Sequence, residues 1–149
     1  MAKSTFAYVI YIASTAETVW KALLDGEFTR RYWGHDNVSD WKPGSNWEHR
    51  RADAAHAAVI LGEVLESEPP NRLVITWAIP ADRVNKDRHS RVTFQIEPVG
   101  EMVRLTVTHD NLESESEMQR KISQGWPRVL SSLKSLLETG RALDTWAGR

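Results

Sequence analysis

Cysteine is missing from all 149 residues, which removes disulfides, thiolate metal sites and sulfur nucleophiles together. An excess of charge is missing too: 19 Lys and Arg stand against 20 Asp and Glu, for a formal net charge of -1. Without a positive field to gather phosphates, nucleic acid and anionic lipid surfaces are not expected as partners. Long apolar runs are absent as well. The longest, Phe6 to Ala13 and Ala57 to Leu61, fall far short of the ~20 residues that cross a bilayer, so no membrane span is expected. Phe6 to Ala13 follows Lys3 much as a signal peptide would, but it carries two tyrosines and runs straight into helix-forming sequence. No phosphate loop, dinucleotide fingerprint, nucleophile elbow or zinc-helix motif occurs, so neither cofactor nor metal is expected. Together these absences describe one cytoplasmic globular domain over residues 1–140, with a loosely held tail over 141–149.

What is present has two periodicities. Phe6 to Ile12 is β-branched and aromatic throughout, which predicts a first strand buried on both faces or under a helix. Ser14 to Glu17 has the spacing of a capping box, and Val19, Trp20, Leu23 and Leu24 follow as one apolar helix face, stopped at Asp25-Gly26. A short second helix runs from Glu27 to Trp33 and ends at Gly34. Alternation of period two then dominates: Leu73, Ile75, Trp77 and Ile79; Val92, Phe94 and Ile96; Val103, Leu105 and Val107. The run from Ala57 to Glu66 has no clear facing, and Gly62 reads as a bulge. Ser114 with Glu117 suggests a helix start, and Gly125-Trp126-Pro127 predicts a break into two helices, Pro127 being tolerated in a first turn. Beyond the break, Val129, Leu130, Leu133 and Leu137 form an apolar side that must lie across the sheet. The order is strand, two short helices, about six strands and a long amphipathic helix. That is an α+β arrangement in which a curved antiparallel sheet of six to seven strands grips the C-terminal helix and leaves a hollow between them.

With 7 tryptophans in the chain, aromatics are the natural wall of such a hollow. Trp33, Trp41, Trp47, Trp77, Phe94, Trp126 and Leu130 are the candidate lining residues, although tryptophans also fill the cores of small domains. His109 shares the parity of Val103 to Val107 and is the candidate polar anchor. It has no carboxylate on its own face, so a satisfied core histidine is its plainer role. His49, Asp53 and His56 flank one turn and would make a metal site only if the register made them neighbours, which hairpin-tip exposure argues against. Asp82 to His89 mixes charges and reads as a solvated loop, although a loop of this length can also act as a lid over a pocket.

The chain resembles a known family, the homologues of the heat-shock-protein-90 ATPase activator within the START-like, Bet v-type helix-grip superfamily. The residues that carry it are Val19-Trp20-Lys21-Ala22-Leu23, Tyr32-Trp33-Gly34, Asp40-Trp41-Lys42-Pro43-Gly44-Ser45, Gly62 to Glu66, Leu73 to Trp77, Thr106 to His109, and Gly125-Trp126 with Leu130, Leu133 and Glu138. His35 stands where relatives often have proline, and Pro127 directly follows Gly-Trp. The resemblance implies the helix-grip fold and its cavity more firmly than any one activity. The expected activity is binding of a small hydrophobic or aromatic molecule without chemistry. The rivals are a chaperone or other protein partner, as for the namesake, and a cyclase or hydrolase using His109.

Overall fold

A computed structural model describes residues 2–143. The elements run β1 (Lys3–Ile12), α1 (Ala16–Leu24), α2 (Gly26–Trp33), β2 (His35–Val38), β3 (Asn46–Arg51), β4 (Ala58–Glu68), β5 (Arg72–Trp77), β6 (Ser90–Val99), β7 (Met102–Glu113) and α3 (Glu117–Thr139), with two single 3₁₀ turns between β5 and β6. The strands form one antiparallel seven-stranded sheet in the order β1-β7-β6-β5-β4-β3-β2. This is the expected α+β helix-grip arrangement.

Register explains the core. Tyr8, Val107, Phe94 and Leu73 lie in one cross-strand row, and Phe6, His109, Val92 and Ile75 in the next. The period-two pattern therefore puts Leu73, Ile75 and Trp77 of β5, Val92, Phe94 and Ile96 of β6, and Val103, Leu105 and Val107 of β7 on one face, which α3 covers with Ile122, Trp126, Val129, Leu130, Leu133 and Leu136. Leu136 is fully buried there, whereas Leu137 is only partly so.

Four local expectations change. β1 is the edge strand, wet on one face, with Val9 and Tyr11 exposed opposite the side that packs on the core. The α1 cap is Thr15, whose hydroxyl accepts from Thr18 N at 3.1 Å, and the α3 cap is Ser116, which accepts from Gln119 N. α3 is one helix: Pro127 sits inside it, and the apolar seam on both sides of Gly125-Trp126-Pro127 holds it across the sheet despite the missing N–H. Gly62 is not a bulge. It pairs with Trp47, and the register shifts instead between Val64 and Glu66.

Gly62 has a different reason to be glycine. The Trp47 indole donates to the Thr76 carbonyl at 2.7 Å, and the Glu63 N–H donates instead to the Thr76 hydroxyl oxygen at 2.8 Å. A Cβ on Gly62 would overlap that same Thr76 carbonyl. Because the obstacle is backbone, Gly62→Ala should destabilise the fold by about 3 kcal/mol or more, in line with overpacked cores. A urea midpoint equal to that of the wild type would show that β4 and β5 are not so close.

Candidate functional site

α2 ends at Gly34, whose left-handed φ of 75° lets the chain turn directly into β2. That turn fixes Trp33 over the sheet, where its ring meets His49 of β3 at 4.5 Å and Trp126 of α3 at 5.4 Å. Trp77, at the end of β5, lies 5.5 Å from Trp126 and 6.3 Å from His49. These rings wall a hollow of about 510 Å³ between the sheet and α3, whose apolar remainder includes Val59, Ile60, Met118, Ile122 and Val129. Trp77, Ile79, Met118 and Lys121 also border a second, more polar recess of about 350 Å³ reaching Asp82, Arg88 and Glu117. The Asp82 to His89 segment thus borders the recess, closed on itself by an Arg88–Asp82 pair at 3.2 Å.

Of the eight candidate residues, Trp33, Trp77 and Trp126 come together in the hollow. Trp47, Phe94, His109 and Leu130 lie in the core behind that wall. Trp41 borders a separate groove with Trp20 and Leu24. Sequence reasoning missed His35, His49, Met118, Ile122, Gly125 and Val129. The last four recur at intervals of four, three and four, a helical stripe whose first three members were hidden by the expected break at Pro127.

His109 is 0% exposed and has both nitrogens engaged. Trp126 Nε1–H donates to its Nδ1 at 3.1 Å, so Nε2 carries the proton and donates to Ser90 Oγ at 2.8 Å, and Ser90 Oγ donates to Trp77 O at 3.1 Å. The chain of donors runs one way and ties α3, β7, β6 and β5 together. Burial pushes the His109 imidazole down to about 3, with Asp110 opposing weakly.

His49 and His56 are not neighbours. His49 is buried, pairs with Asn37 and Ile60 in the ladder, and its Nδ1 meets Asn37 Oδ1 at 2.6 Å. His56 instead sends Nε2 to Asp36 at 2.9 Å, beside a bidentate Arg30–Asp36 pair, while Asp53 pairs with Arg51. Hydrogen bonding from Arg30, opposed by burial and helped by His56, holds the Asp36 carboxyl below its usual range. Among the described residues, no three His, Asp or Glu converge on a point that would hold a metal ion. Nor is any described helix long and apolar enough to cross a membrane.

A family profile described as "Activator of Hsp90 ATPase homolog 1-like protein" matches residues 13–138. A search of curated proteins finds no match. Similar solved structures include the Aha1 dimer from Colwellia psychrerythraea (TM-score 0.76, 20% identity, 93% of this chain and 99% of that one). An HSP90 activator from Plasmodium falciparum is also similar (TM-score 0.73, 23% identity, 89% and 95%). So is CalU16 from Micromonospora echinospora (TM-score 0.71, 20% identity, 91% and 77%). At these identities the likeness is one of fold.

Proposed function

This chain belongs to the family of Activator of Hsp90 ATPase homolog 1-like proteins, and from that premise we propose that it binds a small apolar or aromatic molecule between the sheet and α3, without transforming it. The observation that carries the reading is the three-tryptophan wall of Trp33, Trp77 and Trp126 around an otherwise aliphatic hollow. Flat faces set at an angle to one another suit a flat guest, and buried apolar area supplies the affinity. In this reading residues 1–140 act as one cytoplasmic binding domain. Trp47, Phe94 and Leu130 buttress the wall, and His109 fixes the Trp126 indole. A proton-transfer role for His109 lacks support, because no lone pair or proton on its ring is free. Of the tail over 141–149, residues 144–149 lie outside those described.

Gly125 offers the test. It borders the hollow, and a Cβ there meets nothing within 4 Å. Gly125→Leu should therefore fill the site while favouring the helix by up to ~1 kcal/mol. Titrated with the neutral fluorophore N-phenylnaphthylamine, the variant should lose affinity by about tenfold or more with its melting temperature held or raised. Unchanged affinity would place the site elsewhere.

A further inference from the structure

The polar atoms of the hollow restrict its guest further. An indole has one donor and no acceptor. Trp47 spends its N–H on Thr76 O and Trp126 on His109. Trp77, only 6% exposed, spends its N–H on nothing: among the described residues its Nε1 is the buried side-chain nitrogen or oxygen left without a partner. Buried donors are rarely left so, and this one belongs to a ring of the hollow's wall.

A free acceptor borders the hollow beside that ring. The Asn37 amide donates from Nδ2 to Leu23 O, which turns its Oδ1 toward His49. His49 must then donate from Nδ1, and its neutral ring keeps a bare lone pair on Nε2. No described group takes that lone pair, and His49 is 5% exposed, its ring bordering the hollow. Burial, reinforced by His35, pushes the imidazole down to about 3, so the acceptor stays unprotonated. His35 stacks on it at 4.4 Å and donates its own Nδ1–H to Trp33 O, holding the pair of rings in place.

We propose that the hollow selects aromatic ligands bearing a free hydroxyl, phenols or enols, whose oxygen accepts from the Trp77 N–H while its proton goes to Nε2 of His49. This rests on the ligand-binding reading above and names the class of guest. The rings of Trp77 and His49 are neighbours on this wall, with centroids 6.3 Å apart, and a ligand oxygen seated between their nitrogens would take both hydrogen bonds. A carbonyl or ether satisfies Trp77 alone, and an anion sets its lone pairs against that of His49. Of these groups only a neutral hydroxyl serves both. A base as weak as this imidazole leaves the proton on the ligand, which makes the contact one of recognition.

Binding of β-naphthol, its methyl ether and naphthalene, measured by displacement of N-phenylnaphthylamine, tests the proposal. On the wild type, β-naphthol should bind roughly fivefold to tenfold tighter than the ether, the worth of one neutral hydrogen bond. His49→Asn keeps a donor for Asn37 and should bring the ratio of β-naphthol to ether affinity to about one, whatever the lost ring contact costs all three ligands alike. Trp77→Phe should weaken both oxygenated ligands toward naphthalene. If either variant fails to fold by circular dichroism, the wild-type series decides alone. Equal affinity for all three ligands would mean that solvent satisfies the pair, overturning this proposal while leaving the binding reading intact. Failure of all three to bind would overturn both.

Discussion

Leu133→Asp should leave no cooperatively folded protein at 25 °C. Leu133 is 0% exposed and sits mid-seam on α3, among Val129, Leu130 and Leu136. Removing its side chain from the core forfeits ~3 kcal/mol of burial. An aspartate in its place adds the larger loss, because its neighbours on the seam are aliphatic and a buried unpaired carboxylate costs several kcal/mol more. Together these rival the ~5–15 kcal/mol of a whole domain. Arg128→Asp, on the exposed side of the same helix, should move the melting temperature by no more than a few degrees. Far-UV circular dichroism with thermal melts of both variants checks the contrast. A cooperative Leu133→Asp melt near the wild-type temperature would mean that α3 turns a different face to the sheet.

That seam also shows why sequence reading reached some features and missed others. The strand rows were legible because the period is two and each row has one wet side: Val103, Leu105, Val107 and His109 could only face one way. The continuity of α3 was not, because proline costs a helix ~3 kcal/mol locally while the compensation comes from residues far away on β1 and β7. Misreading that one point hid Met118, Ile122 and Gly125 from the site. His49 was hidden for another reason. Its place opposite Asn37 and Ile60 depends on how the β3–β4 turn is closed, and the register shift between His49 and Arg50 is invisible to alternation. The caps at Thr15 and Ser116 fell beside the predicted ones because Ser14-Thr15 and Ser114 to Ser116 each offer more than one competent hydroxyl.

Stability should fall steeply between pH 6.5 and pH 5, above the range in which carboxylates act. His49 and His109 are buried neutral, each pushed down to about 3 with burial as the main cause. In the unfolded chain both return to ~6.5. Between those values the unfolded state takes up protons that the native state refuses, so the stabilisation is complete above ~6.5 and is lost as pH falls toward 3. Each histidine withdraws ~1.4 kcal/mol per pH unit, which by pH 5 amounts to ~2 kcal/mol apiece and ~4 for the pair. Protonating His109 at Nδ1 would also evict the Trp126 N–H from its partner, loosening α3 where it meets the sheet. The carboxyls of Asp36, Asp40, Asp53 and Glu138, held below their usual range by hydrogen bonds, add a loss of the same sign that begins only below about pH 5. Urea unfolding at pH 5, 6, 7 and 8 separates the windows. The wild type should lose ~4 kcal/mol from pH 7 to 5, and His49→Asn about half as much. A profile flat from pH 7 to 5 would mean that both imidazoles reach solvent in the native state, and the one-way donor chain through His109 would fall with it.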